Sequence, residues 1–292
     1  MNKQTIKIIV CTVFALLAFA GNSVLCRLAL GENAIDAASF TTIRLLSGVI
    51  MLLIVAMITS KRSSNGARGS WLAASMLFIY AVTFSYGYIS LDTGTGALIL
   101  FGAVQITMII VSVFSGKRLH YSEWLGLFIA FSGFVYLIIP SITTPSLIGF
   151  ILMTTSGVAW GFYTLVGKSS QQPLSDTAYN FLRTTPFFLV LLMFTFQGAH
   201  ITLPGLLLAV LSGAITSGLG YAVWYVALGG LSVTQAAVVQ LFVPVIAAIG
   251  GVIFTNELIT LRLIESSALV LGGIFTVFLG RAYFVSKASK AI

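Results

Sequence analysis

The sequence predicts an all-α integral membrane protein with ten transmembrane helices, arranged as two inverted five-helix repeats around a central cavity. Three observations predict this class. Of the 292 residues, 58% are hydrophobic and only 8% are charged, against about 25% charged in a typical soluble domain. Apolar runs long enough to cross a bilayer recur along the chain. The two halves also resemble each other at a nearly constant offset of about 140 residues.

The internal repeat is visible as paired residues that keep their spacing from one half to the other. The pairs lie 139 or 140 residues apart, and they are Gly21 with Gly161, Arg44 with Arg183, and Gly133 with Gly273. Duplicated halves of membrane proteins enclose a site at their interface in many transporters. The sequence at 140–146 contains two prolines that resist helix, so we expect the halves to be 1–140 and 141–292.

Ten membrane spans, numbered here 1 to 10, follow from apolar runs separated by short polar breaks. Their predicted ranges are 6–29, 36–58, 70–91, 93–114, 122–140, 146–168, 177–197, 204–228, 232–254 and 261–284. Because each half contains an odd number of spans, the second half must enter the membrane in the opposite direction to the first.

The distribution of basic residues predicts the orientation of the spans. With the N-terminus in the cytoplasm, 11 of the 15 Lys and Arg residues fall on the cytoplasmic side, among them Lys3 and Lys7. This positive-inside bias accounts for the net charge of +8 without a nucleic-acid partner. An even number of spans places the C-terminus in the cytoplasm as well. We therefore expect a multi-pass protein of a bacterial-type inner membrane.

Polar side chains inside apolar spans form the first group of candidate substrate-binding residues, because each is costly in hydrocarbon unless it faces protein or water. They are Asn22 in span 1, Gln105 in span 4 and Gln240 in span 9. Pro244, one turn after Gln240, should kink span 9 and free a backbone carbonyl. The amides would either line a cavity and orient a substrate, or simply hydrogen-bond neighbouring helices.

Aromatic residues deep within spans form the second group. Trp160 lies about fifteen residues into span 6, away from the interfacial belt that membrane aromatics usually occupy. Tyr80, Tyr163 and Tyr221 lie inside spans 3, 6 and 8. These rings would either grip an apolar or cationic solute through stacking and cation–π contacts, or pack the core.

Arg44 and Arg183 are the charged residues well inside predicted spans. They would either capture a carboxylate, or snorkel toward an interface and anchor their helices, and anchoring is the favoured interpretation. No Asp or Glu lies in the middle of a predicted span. Proton-coupled carriers commonly use a buried carboxylate, so this pattern argues against proton antiport.

Signatures of catalysis are absent from the sequence, which has no GxSxG, HExxH or Walker motif. His, Cys and carboxylate residues nowhere have the spacing of metal ligands. We therefore expect no enzyme activity, no metal and no cofactor. The internal repeat already supplies a pseudo-symmetric partner, so a monomer is expected, with a small-molecule substrate and the lipid bilayer as its partners.

Several stretches resemble the drug/metabolite transporter superfamily, specifically its ten-helix EamA family. They are FGAVQITMI at 101–109, GFVYLIIP at 133–140, VAWGFYTLVGK at 158–168, the run at 220–251 and NELITLRL at 256–263. The chain departs from the family pattern at Lys117, where the first repeat of the family has Glu. The resemblance implies a central cavity lined mainly by spans 1, 3, 4, 6, 8 and 9.

The resemblance also implies export of amino acids and related metabolites by alternating access. We therefore expect a secondary transporter that exports small amphipathic metabolites. An importer and a passive channel are the alternatives. A channel needs a continuous polar pore, of which the sequence offers little.

Overall fold

The computed structural model describes residues 3–59, 69–116, 120–139, 145–167, 170, 172–231 and 238–289. Within these ranges the chain is helical, with a single isolated β-bridge between Ile35 and Ile201. Ten of its helices are long and apolar enough to cross a membrane. They are Lys3–Gly31, Ala37–Thr59, Trp71–Tyr88, Thr93–Phe114, Tyr121–Ile138, Leu147–Gly167, Leu174–Gly198, Leu203–Leu228, Val238–Thr255 and Leu261–Gly280. The predicted fold class is confirmed.

Span 7 departs from its predicted range and is also broken within the membrane. Its helix begins at Pro173, four residues earlier than predicted, with proline in the first turn, where its missing N–H costs nothing. The helix is interrupted at Thr184, just before Pro186. Proline cannot donate to the carbonyl of Leu182, and the Thr185 hydroxyl donates to that carbonyl instead, at 2.7 Å.

Spans 8 and 9 are irregular as well. Span 8 contains a π-helical segment at Ser212–Leu219 between two α-helical parts. Span 9 is interrupted at Leu241, three residues before Pro244. The proline ring removes the helical hydrogen bond to the Gln240 carbonyl, so the break lies where the sequence predicts the kink. The predicted part of span 9 at 232–237 lies outside the described residues, as does Lys117.

The packing of the spans has the symmetry that two inverted halves produce. Span 6 packs against spans 3 and 4, and span 1, its counterpart, packs against spans 8 and 9. Three further contacts join counterparts to each other: span 2 with span 7, span 4 with span 9, and span 5 with span 10. Exchanging the halves therefore maps these contacts onto one another. The predicted boundary between the halves, after residue 140, lies outside the described residues.

The two ends of the bundle are named here by charge. The basic end is where span 1 begins, with Lys3 and Lys7. The acidic end is where span 1 finishes, and Glu32, Asp36, Asp92 and Glu257 are among its carboxylates.

Two aspartates 140 residues apart show the inverted symmetry in atomic detail. Asp36 lies at the start of span 2 and accepts the backbone N–H of His200 at 2.9 Å, just before span 8. Asp176 lies at the start of span 7 and accepts the backbone N–H of Gly69 at 2.8 Å, just before span 3. The same hydrogen bond between the halves thus occurs once at the acidic end and once at the basic end.

Candidate functional site

A small cavity lies at the centre of the bundle, where spans 1, 3, 4, 6 and 8 meet. It is lined by Phe19, Asn22, Ser23, Tyr80, Phe84, Leu100, Phe101, Trp160, Thr216 and Tyr221. Its volume is about 20 Å³. One water molecule needs about 10–15 Å³ by this measure, so the surrounding side chains leave room for little more than one. The helices therefore leave no room at this place for an organic metabolite.

Trp160 is the centre of the aromatic lining. Its ring centroid lies 4.7 Å from that of Tyr80 and 5.0 Å from that of Tyr221. Tyr163 stacks on the indole at 5.3 Å but does not line the cavity. Each such pair is worth about 0.5–1.5 kcal/mol beyond the area that it buries. The structure thus brings all four predicted aromatic residues into one cluster that joins the two halves.

Asn22 is both a cavity-lining residue and a bond between helices. Its amide oxygen accepts the hydroxyls of Ser212 at 2.6 Å and Thr216 at 3.2 Å, both from span 8. Its amide nitrogen donates to the Tyr80 hydroxyl of span 3 at 3.4 Å. Asn22 therefore lines the cavity and hydrogen-bonds neighbouring helices at the same time, and its contact with a substrate stays a prediction.

Gln105 and Gln240 lie outside the cavity lining. Gln105 is fully buried, and neither atom of its amide group has a hydrogen-bond partner among the described residues. It lies one turn beyond the lining residue Phe101, on the same face of span 4 and nearer the basic end. Gln240 is buried at the break in span 9, close to Pro244. Span 9 contributes none of the lining residues found here.

Arg44 is buried between helices and does not reach the interface that the favoured interpretation of the sequence required. The side chain is only 2% exposed. Its Nη2 donates to the Tyr80 hydroxyl at 2.8 Å, and its Nε donates to the Ser217 hydroxyl at 3.3 Å. The guanidinium carbon lies 5.1 Å from the ring centroid of Tyr80 and 4.8 Å from that of Phe84. Interfacial anchoring is therefore wrong for Arg44, because spans 3 and 8 cover it.

The charge of Arg44 has no carboxylate partner. The chain has seven Asp and Glu residues, all of them described by the structure, and none forms an ion pair with it. Its Nη1 atom is buried and has no hydrogen-bond partner among the described residues. Arg44 is therefore a buried, unneutralised cation directly behind two residues of the cavity wall.

Arg183, the counterpart of Arg44, has a different environment. It is half-buried, and its guanidinium carbon lies 5.7 Å from the ring centroid of Trp71. Trp71 opens span 3 at the basic end and is 57% exposed. This placement fits the predicted role of an anchor near an interface.

Comparison with known proteins gives the family. Residues 147–279 match the EamA-like transporter family. An uncharacterized transporter of Archaeoglobus fulgidus is 30% identical over 204 residues, which are 68% of this chain and 72% of the relative. The chain belongs to the EamA-like transporter family. A second relative, an uncharacterized protein of Pseudomonas aeruginosa, is 48% identical over 274 residues, which are 93% of this chain and 95% of the relative.

A solved protein structure has the same fold as this EamA-like chain. It is 15% identical in sequence, with a TM-score of 0.62, and the match covers 91% of this chain and 98% of the other. The family match and the similar transporter of Archaeoglobus fulgidus confirm the predicted family membership, and the chain is a multi-pass membrane transporter.

Ionic contacts around Arg27 join the two halves at the acidic end of this EamA-like transporter. Its Nε lies 3.2 Å from Oε1 of Glu257, and its Nη2 lies 3.7 Å from Oδ1 of Asp92. The second oxygen of Glu257 accepts the backbone N–H of Thr93 at 2.8 Å. The contacts join spans 1 and 4 of the first half to the segment after span 9, so they hold the two halves together above the cavity.

Proposed function

We propose that this EamA-like protein exports small amphipathic metabolites, amino acids among them, by alternating access. The observation that carries the proposal is the central cavity, which residues of both halves line with aromatic rings and an amide–hydroxyl cluster. Rings offer an apolar surface, and the Asn22 cluster offers hydrogen bonds that orient a polar group. Gln105 lies one turn from the cavity lining on span 4, and Gln240 lies at the break in span 9; both would contact the polar parts of a substrate as the helices separate.

The size of the cavity supports a carrier. Ligand pockets for small organic molecules are typically about 300–1,000 Å³, far larger than the 20 Å³ found here. A metabolite therefore binds only when the halves move apart, and the Arg27 contacts with Glu257 favour opening at the basic end. A passive channel would instead need a continuous polar pathway.

The proposed orientation places the basic end in the cytoplasm of a bacterial-type cell, with both termini there. Lys3 and Lys7 support it through the positive-inside rule. Export, as opposed to uptake, rests on the resemblance to a family whose members characteristically export. We also propose that the protein works as a monomer, since its own halves provide the pseudo-symmetric pair.

Direction and substrate can be tested together in cells. Spent medium is compared, by untargeted metabolite measurement, between cells that overproduce the chain and cells that overproduce Trp160→Ala at equal membrane abundance. We expect at least one amphipathic metabolite to accumulate in the medium only with the intact chain. Depletion of that metabolite from the medium would instead indicate an importer.

The role of the cavity is tested with purified protein in proteoliposomes. The metabolite found in the medium is used in a counterflow assay, which a carrier supports and a channel does not. Trp160→Ala removes three ring contacts, so we expect counterflow to fall by at least about tenfold. Trp124→Ala is the matched control, because Trp124 is 58% exposed at the start of span 5. Equal counterflow by both folded variants would remove the cavity from the mechanism.

A further inference from the structure

We propose that Arg44 makes the central cavity a carboxylate-binding site, so that the transported metabolites carry a carboxylate next to an apolar body. The inference rests on the proposed function and names the substrate class of the same site. It follows from three features of Arg44: its missing counter-ion, its position behind the cavity wall, and the convergence of hydrogen-bond donors at Tyr80.

The missing counter-ion is the first feature. A guanidinium inside a membrane protein is costly and is normally paired or faces a water-filled cavity. Here two neutral hydroxyls and two aromatic rings surround the charge, and Nη1 remains without a partner among the described residues. Hydroxyls and rings stabilise a cation only partly. A ligand carboxylate would complete the site.

Position is the second feature. Tyr80 and Phe84 are cavity-lining residues, and the same two rings cover the guanidinium of Arg44 from the other side. One side-chain layer therefore separates the charge from the space in which a substrate would bind. A rotation of the Tyr80 side chain would expose the guanidinium to the cavity.

Convergence of donors is the third feature. The Tyr80 hydroxyl oxygen lies 2.8 Å from Nη2 of Arg44 and 3.4 Å from Nδ2 of Asn22, and both nitrogens donate to it. Two N–H donors from different spans thus point at one oxygen. A carboxylate oxygen in the same place would accept both, and the planar fork of arginine suits bidentate binding of a carboxylate.

The same geometry disfavours cations as substrates. An amine without a carboxylate would meet the aromatic rings of Trp160 and Tyr221, but it would also meet the unneutralised charge of Arg44 with no acidic side chain to offset the repulsion. The expected substrates are therefore monocarboxylates and zwitterions with an apolar body, which the rings contact.

The test measures ligand binding to purified full-length protein in detergent, by the shift of its thermal unfolding with ligand concentration. Each probe is a carboxylate paired with its own amide: phenylalanine with phenylalaninamide, leucine with leucinamide, and phenylacetate with phenylacetamide. We expect at least one acid to bind about tenfold or more tightly than its amide, because hydrogen bonds to charged groups are the strong ones.

Variants then assign the preference to Arg44. Arg44→Gln should bind acid and amide equally, and Arg44→Lys should keep part of the preference, because it keeps the charge and loses the fork. Arg183→Gln, which changes the counterpart arginine, should keep the full preference. Because the acid–amide comparison needs no variant, a folding defect in Arg44→Gln does not remove the test.

Amides that bind the unaltered protein as tightly as their acids would overturn the inference, as would binding by none of the acids. An Arg44→Gln variant that keeps the preference would overturn it too. None of these results affects the counterflow of the exported metabolite, which tests the proposed function. Export of a metabolite that has no carboxylate, if it depends on Trp160, would support the proposed function and refute the inference about Arg44.

Discussion

Arg44 and Arg183 lie at equivalent positions of the two repeats, yet the folded protein gives them opposite surroundings. Arg44 is covered by spans 3 and 8 and touches the cavity wall, whereas Arg183 is half-buried beside an exposed tryptophan at the basic end. The two repeats thus share a scaffold, as the equivalent hydrogen bonds of Asp36 and Asp176 show, while the site itself is asymmetric. In this chain the repeat predicts the helices but not the chemistry between them.

The difference has a visible cause in span 8. Gly213 packs so closely on span 2 that a Cβ atom there would lie 2.1 Å from the backbone oxygen of Arg44 and 2.0 Å from the Ser47 hydroxyl. The close approach brings Ser217, one turn further along span 8, within reach of the guanidinium. The burial of Arg44, in the first half of the molecule, therefore depends on Gly213 in the second half.

The largest expected loss of stability comes from disrupting the close packing of spans 2 and 8 at Gly213. Gly213→Ala forces spans 2 and 8 apart, because the three atoms that a Cβ there would meet belong to the Arg44 backbone and to the short side chain of Ser47, neither of which can move aside easily. We expect a loss of about 3 kcal/mol in unfolding free energy, at the upper end of the usual cost of overpacking. Thermal unfolding in detergent measures it.

Gly272→Ala is the matched control for this substitution, since a Cβ at Gly272 meets no atom within 4 Å. It should be neutral or stabilising, because alanine has the higher helix propensity. Equal destabilisation by both variants would mean that the close approach of spans 2 and 8 does not matter.

A smaller effect is expected where Arg44 meets span 3. Tyr80→Phe removes the hydroxyl that accepts from Arg44 and Asn22, so two buried donors lose that acceptor. The expected loss is about 1–3 kcal/mol. Tyr163→Phe removes a hydroxyl that makes no hydrogen bond of normal geometry among the described residues, with Thr177 and Asn180 as polar neighbours, so its cost should be smaller than that of Tyr80→Phe.

Both tyrosines are buried to a similar extent, at 5% and 4% exposure, so the two variants differ in hydrogen bonding more than in burial. Thermal unfolding of both, side by side, gives the comparison. If Tyr163→Phe were the more damaging change, the bonds of the Tyr80 hydroxyl would not be what holds Arg44 in place.

The smallest effect concerns the start of span 2, the span that carries Arg44. Burial raises the pKa of Asp36, but hydrogen bonds from Ser39, from the His200 backbone and from the Ala38 backbone outweigh it and lower the pKa below its ordinary value. A carboxyl with a lowered pKa stabilises the fold above its unfolded pKa, and this contribution is lost as the pH falls through the folded pKa.

Asp36→Ala should therefore cost about 1 kcal/mol at neutral pH, as the loss of a helix cap does. The difference from the unaltered protein should shrink as the pH falls below the ordinary range of aspartate, which unfolding at a series of pH values measures. Glu32→Ala is the control, because Glu32 is exposed at the same end of the bundle and forms no ion pair among the described residues. A pH-independent cost at Asp36 would contradict this account.

Several parts of the site were predictable from sequence alone. Asn22, Tyr80, Trp160 and Tyr221 stood out because polar or large aromatic residues deep in an apolar span need a reason, and all four line the cavity. Gln105 stood out for the same reason, yet polarity alone could not tell that it lies one turn away from the lining. Phe19 and Phe84 gave no signal, since phenylalanine is ordinary in a membrane span.

The sequence by itself determined the ten spans, the break near Pro244 and the family, because hydropathy, proline geometry and motif spacing are local properties of the chain. Only the tertiary structure decided which of two equivalent arginines becomes a buried charge beside the cavity. The groups that surround Arg44 lie 36 residues away, at Tyr80, and 173 residues away, at Ser217. A contact between such distant residues depends on how the helices pack, and no local pattern encodes it.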